Sequence, residues 1–209
     1  MDLSGIKNII FDLGGVIINL RIQNSLDAFQ KLSKSQKVIS FSQSAQSTLF
    51  DDYETGRISD EAFRQGLRDQ FDIEATDTEI NDAWNALLLD IPPERIDLLL
   101  ALGPKYRLFL MSNTNAIHFS RFCQLVAESF TIPSLDSLFE KTYYSHLIGQ
   151  RKPDSIVFEQ ILAQNNLIPA ETLFIDDSIQ HIAGANAVGI KTLHLAPPLT
   201  INEVFKDAL

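Results

Sequence analysis

The chain has 209 residues, enough for one domain or one domain carrying a smaller insert. Its 45% hydrophobic fraction is that of a globular chain, and a formal net charge of −10 speaks against a protein that grips the phosphate backbone of nucleic acid. A small anionic ligand remains compatible with that charge, because it needs only a local positive pocket.

Residues 8–16 read Asn-Ile-Ile-Phe-Asp-Leu-Gly-Gly-Val. Ile9, Ile10 and Phe11 form the short apolar run of a buried parallel strand, and Asp12 stands where that strand leaves the core. Gly14 and Gly15 let the next backbone turn sharply and approach a ligand closely. Ligands bind at the carboxyl ends of strands in open parallel sheets, so Asp12 is a candidate carboxylate in a cleft. Its local alternative is a turn residue that closes a strand.

From residue 21 to residue 90 no convincing buried strand follows. Leu26, Phe29 and Leu32 suggest a first helix, and residues 33–48, rich in Ser and Gln, read as a loop or a loosely specified helix. Gly56 stops the next helical stretch. Ser59 then caps a helix with Asp60 and Glu61 in its first turn, and Phe63, Leu67 and Phe71 keep helical spacing behind it. Thr76 and Glu79 have capping-box spacing, with Ile80, Ala83, Trp84 and Leu87 on one face. This block reads as an all-helical unit of roughly 70 residues.

Pro92 and Pro93 open a further helix, where proline is tolerated in the first turn, and Gly103-Pro104 ends it. Strand and helix then alternate. Strands are expected at 107–111, 143–145, 172–175 and 191–195, and helices at 116–127, 154–164, 179–188 and 200–206. The alternation implies a doubly wound α/β fold, a Rossmann-like parallel sheet covered by helices. The expected organisation is a discontinuous core of residues 1–17 and 91–209, with a helical cap of residues 18–90. The single cysteine, Cys123, cannot make an internal disulfide and reads as a small buried apolar residue. No apolar run approaches the ~18 residues of a membrane span, and no signal peptide is legible. A cytoplasmic protein without membrane or nucleic-acid partners is expected, with a monomer as the default and a homodimer as the alternative.

Four polar groups each follow an apolar strand candidate: Asp12, Ser112-Asn113, Lys152 and Asp176-Asp177. In a doubly wound sheet they converge at one edge. Each also has a local reading. Ser112 or Asn113 serves as a helix cap, Lys152-Pro153 as an exposed turn, and Asp176-Asp177-Ser178 as the cap and acidic first turn of a helix. Together they supply the parts of phosphoryl transfer. A carboxylate attacks phosphorus, and Mg²⁺ with carboxylate and carbonyl ligands screens the two anions. Lys152 adds a fixed positive charge, while Ser112 and the backbone N–H groups around Leu13 and Gly14 hold phosphate oxygens.

The segments Phe11-Asp12-Leu13-Gly14-Gly15-Val16, Leu110-Met111-Ser112-Asn113-Thr114, Arg151-Lys152-Pro153-Asp154 and Phe174-Ile175-Asp176-Asp177-Ser178 carry a resemblance, together with residues 184–189. In order and spacing they are similar to the four motifs of the haloacid dehalogenase-like hydrolase superfamily, which is mostly phosphatases. The resemblance covers nearly the whole chain, and the helical insert matches the cap of many members. It implies that Asp12 is the nucleophile and a Mg²⁺ ligand and that the Gly14 carbonyl is a second ligand. Asp177 is then the principal further acidic ligand, with Asp176 ligating directly or through water. Ser112 and Lys152 bind the phosphoryl group, and Asn113 orients it or the leaving group.

The pattern departs from the family at Gly14, where most phosphatases carry a second aspartate that protonates the leaving group. Its loss removes a contribution of typically ~10²–10⁴ in rate. Either substrates with good leaving groups are used, or another group supplies the proton. A cap residue, His181 and His118 are the candidates, each histidine having a surface or packing role as its alternative. The Tyr53-Glu54-Thr55-Gly56 turn and the segment near Arg21 are places for substrate contacts. The expected function is a Mg²⁺-dependent phosphatase of a small phosphorylated metabolite, sugar phosphates among them. The alternatives are a member that binds a phosphorylated ligand or protein partner without turnover, and a metal-independent 2-haloacid dehalogenase.

Overall fold

The computed structural model describes residues 3–34, 38–39 and 48–206. The loop or loose helix expected across residues 35–37 and 40–47 lies outside the described residues. In chain order the chain forms β1 (Asn8–Phe11), α1 (Ile22–Leu32), α2 (Thr48–Glu54), α3 (Asp60–Phe71), α4 (Asp77–Asn85) and α5 (Pro93–Leu102). It continues with β2 (Arg107–Ser112), α6 (Ala116–Ser129), β3 (Lys141–Tyr144), α7 (Ser145–Ile148) and α8 (Ser155–Asn165). β4 (Thr172–Asp176), α9 (Ile179–Ala187), β5 (Lys191–His194) and α10 (Ile201–Phe205) complete it.

The strands form one five-stranded parallel sheet in the order β3-β2-β1-β4-β5, with β1 at its centre. Side chains alternate across the inner strands. Ile9, Phe11, Leu108, Leu110, Leu173 and Ile175 join one apolar cluster, and Ile10, Phe109, Met111 and Phe174 join the other. Burial on both faces is why these strands are continuous apolar runs. The first cluster is closed by α5, α6 and α10 through Leu99, Phe122 and Phe205, the second by α8 and α9 through Phe158, Ile161 and Ile182. Burying each such side chain contributes about 1.5–3 kcal/mol.

β2 and β4 each run one residue further than expected. Ser112 and Asp176 are therefore strand residues, aimed by the sheet rather than by a loop. Ser145 opens α7 instead of ending a strand. Cys123 is exposed, a correction to the buried placement expected from composition. The buried stripe of α6 is Ile117, His118, Phe122 and Val126, and the ~100° step per helical residue turns Cys123 off it. Among the described residues no helix is long and apolar enough to cross a membrane.

The helical insert leaves and rejoins the sheet through two segments that run side by side. Asn19 N–H donates to the Asp90 carbonyl at 3.0 Å, Leu89 N–H to Asn19 at 2.9 Å and Arg21 N–H to Leu87 at 2.9 Å. Ser59 caps α3 by accepting from Ala62 N–H, and Thr76 with Glu79 forms the full capping box of α4. Phe29, Phe50, Tyr53, Phe63, Phe71 and Trp84 build a separate aromatic cluster that takes in Ile117 from α6. Tyr53 stacks on Phe63 at 3.9 Å, and its hydroxyl accepts from Ile117 N–H at 3.2 Å. Asn115 Oδ1 caps α6 and accepts from Trp84 Nε1 at 3.3 Å. The insert is thus seated on the helix that follows β2.

Candidate active site

Asp12 leaves the central strand with its N–H on the Ile175 carbonyl at 2.9 Å. Its Oδ1 accepts from Lys152 Nζ at 2.7 Å. The same ammonium donates to Asp176 Oδ2 at 2.6 Å and to the Met111 carbonyl at 2.9 Å, so all three of its donors are used. Lys152 is fully buried and is held from behind by a two-point clamp. Asn113 Nδ2 donates to the Lys152 carbonyl and Asn113 Oδ1 accepts from Lys152 N–H, both at 2.9 Å. The Asn113 amide, expected to orient the phosphoryl or leaving group, is spent on positioning Lys152.

Asp176 is also saturated. Its carboxylate accepts from Ser178 N–H at 2.8 Å and lies 3.0 Å from His181 Nδ1. Burial pushes Asp176 up, but Lys152 and His181 outweigh it and hold the group at about 2. Burial raises Asp12 above the ordinary carboxylate value, with Lys152 offsetting part and Asp176 adding to the rise. Half-buried Asp177 is pushed up to about 7 by burial and then by Asp12 and Asp176. Lys152 itself stays above its usual value, because its two carboxylate neighbours outweigh its desolvation.

Asp12, Asp176 and Asp177 each offer an oxygen within 4.8 Å of the others. One lysine cannot neutralise three carboxylates, and the charges of Asp12 and Asp176 add to the burial that raises Asp177. A hard divalent cation with oxygen ligands fits this donor set.

The loop after Asp12 folds back at once, with the Leu13 carbonyl accepting from Ile17 N–H and Ile18 N–H at 2.8 and 2.9 Å. Gly15 has a left-handed φ of +71°, and a Cβ there would sit 2.2 Å from Asp177 Oδ2. Among the described residues the N–H groups of Leu13 and Gly14 have no hydrogen-bond acceptor. Ser112 is buried, and its hydroxyl makes only a 3.5 Å contact to the Asn113 carbonyl. These donors border a cavity of about 100 Å³ between the sheet edge and the insert, lined by Leu13, Gly14, Ser112, Asn113, Leu20 and Glu54 among others. The place a side chain on Gly14 would take is held by Leu20, whose Cδ1 lies 2.6 Å from an added Cβ.

The two candidate histidines, His118 and His181, are both buried. His118 lines the cavity, yet Nε2 donates to the Trp84 carbonyl at 3.1 Å and Nδ1 accepts from Asn115 Nδ2 at 3.1 Å. Burial keeps it neutral, with its value lowered to about 4. His181 faces Asp176. The sequence reading missed that pairing, although a histidine five residues after the strand-end acid, in the next helix's first turn, is a usable signal. It also missed Ser145, whose hydroxyl donates to the Thr114 carbonyl at 2.9 Å and accepts from Thr114 N–H at 2.8 Å. In the sequence Arg151 is legible only as part of a motif. It pairs with Asp51 and, at 3.1 Å, with Glu54.

Comparison with known proteins gives concordant results. The family model for haloacid dehalogenase-like hydrolases matches residues 9–195. A D-ribitol-5-phosphate phosphatase of Bacteroides thetaiotaomicron is 32% identical over 187 residues, covering 90% of each chain. A sesquiterpene phosphatase of Aspergillus oryzae is 27% identical over 194 residues, covering 92% of this chain and 91% of its own. A crystal structure of a haloacid dehalogenase family enzyme from B. thetaiotaomicron, an aspartate-to-alanine mutant in complex with magnesium and inorganic phosphate, superposes with a TM-score of 0.89. It is 34% identical, and the match covers 96% of this chain and 98% of that one. With the motif residues gathered at one sheet edge and the family model spanning nearly the whole sequence, the chain belongs to the haloacid dehalogenase-like hydrolases.

Proposed function

We infer that the protein is a magnesium-dependent phosphatase of a small phosphorylated metabolite, of the sugar and polyol phosphate class, acting through an aspartyl-phosphate. The observation that carries this is the juxtaposition of Asp12, buried Lys152 and the acids Asp176 and Asp177, next to acceptor-free N–H groups at Leu13 and Gly14. The phosphatase relative in B. thetaiotaomicron and the magnesium and phosphate bound in the related structure support it.

A carboxylate oxygen of Asp12 forms a bond to phosphorus as the bond to the leaving oxygen breaks. Ser112 Oγ–H and the N–H groups of Leu13 and Gly14 donate to the phosphoryl oxygens, and Lys152 holds positive charge beside them. Asn113 keeps the lysine in place, and His181 with Ser178 keeps Asp176 turned towards it. Water then attacks phosphorus, releasing phosphate and regenerating the Asp12 carboxylate. Asp12, Asp177 and the Gly14 carbonyl would hold the magnesium, with Asp176 beside them. The ion, when bound, screens the repulsion between the attacking carboxylate and the phosphate.

The same reading makes residues 1–17 and 91–209 the catalytic core and residues 18–90 a cap. It is supported by the insert's own aromatic cluster and by the paired crossing segments. We place the enzyme in the cytoplasm on the strength of its single cysteine, acting on a free metabolite, with a monomer as the default and a homodimer as the alternative. The test is phosphate release from D-ribitol 5-phosphate and from an aryl phosphate with Mg²⁺, with chelator, and with Asp12→Asn. Turnover that needs both metal and Asp12 is expected. Inertness towards both esters overturns the reading.

A further inference from the structure

We propose that Glu54, paired with Arg151, accepts a hydrogen bond from a hydroxyl of the leaving alcohol and so selects polyhydroxylated phosphate esters over apolar ones. The proposal rests on the phosphatase reading for what sits at Asp12.

Glu54 is the last residue of α2 and is only 13% exposed at its side chain. It is the one carboxylate among the described residues that line the cavity. The other walls from the insert and its linkers, such as Leu20, Phe50, Trp84 and Leu88, are apolar. Glu54 is already paired with Arg151, but a carboxylate has about four acceptor positions, and a ligand hydroxyl can take one of those left over where an alkyl chain would only strip water from it.

Two contacts fix this carboxylate relative to the reacting end. Arg151, 17% exposed, reaches Glu54 at 3.1 Å and also pairs with Asp51, and the next residue is Lys152, which touches Asp12. Two residues after Glu54, Gly56 lies flat on α7. It has a φ of +67°, and a Cβ there would come 2.3 Å from the His146 carbonyl oxygen. The end of α2 is therefore seated on the core beside the lysine loop. An ionised carboxylate accepts hydrogen bonds and has no proton to give the leaving group.

The test compares the binding of D-ribitol 5-phosphate and n-pentyl phosphate by calorimetry with Mg²⁺, in the non-turning Asp12→Asn protein with and without Glu54→Gln. The polyol ester is expected to bind about tenfold or more tighter, and Glu54→Gln to bring the two within about threefold. A ratio left unchanged by Glu54→Gln, including equal weakening of both ligands, overturns the proposal. Equal affinities with Glu54 intact overturn it without any substitution there. Turnover by the wild-type protein is read separately, so loss of the hydroxyl preference and loss of phosphatase activity are distinguishable results.

Discussion

The sheet side of the cleft presents charge. Lys152 lies within hydrogen-bonding distance of both Asp12 and Asp176, all three almost wholly shielded from water, with the Asn113 clamp behind them. The insert side presents Leu20, Phe50, Trp84 and Leu88 around one carboxylate. The first wall is stabilised only as a set, since any one charge without its partners is costly in that environment. The second is built from side chains that also pack the insert, so each changes shape and stability together. The comparison teaches that reaction chemistry here is an all-or-none electrostatic unit, whereas leaving-group selection is graded and open to substitution.

Lys152→Met strikes the first wall hardest. Two buried carboxylates lose their cation, and a loss of about 3–5 kcal/mol is expected in denaturant unfolding, with turnover reduced by ~10³ or more. Unchanged stability would show that the charges are not interdependent. Trp84→Ala probes the other wall. It removes a buried ring stacked on His118 at 4.6 Å and the donor to Asn115, at an expected cost of about 3 kcal/mol. Aryl phosphate turnover should fall less than in Lys152→Met, and an equal fall would erase the contrast.

Gly14→Asp crosses the boundary between the walls. Its side chain meets Leu20, so a loss of about 1–3 kcal/mol is expected, recovered in part by adding Leu20→Ala. A neutral single substitution would mean that Leu20 moves freely. The smallest effect is in pH. His118 is held at about 4 in the fold against about 6.5 unfolded, so the unfolded chain binds more protons between those values and stability falls on acidification. The contribution is about 1 kcal/mol by pH 5.5, and His118→Gln should remove it. Asp177 runs the other way. Raised to about 7 without metal, it takes up a proton in the folded state first, so its contribution to stability is lost as pH rises from about 4 through 7. Asp177→Asn should flatten that arm.

Much of the sheet wall was legible because a polar residue ending an apolar run is a local signal, as at Phe11-Asp12 and Ile175-Asp176. The caps at Ser59 and Thr76 were legible for the same reason. What joins the pieces was not. Asp12 and Lys152 are 140 residues apart, and the Asn113 clamp spans 39, so an amide after a strand reads as a helix cap until the turn carrying Lys152 is placed beside it. Trp84 reads as helix packing, since the same apolar atoms serve a core and a cavity wall. Glu54 stands in a turn expected to make substrate contacts, but its partner Arg151 comes from the far side of β2 and β3 in the sequence.

The central claim is that Asp12 becomes phosphorylated. The protein should be mixed with an aryl phosphate and Mg²⁺, quenched in acid within one turnover and digested for mass spectrometry. The account expects one phosphoryl group on the peptide bearing Asp12, absent with chelator and absent in Asp12→Asn. Full phosphate release with no such adduct, and undiminished in Asp12→Asn, would contradict it.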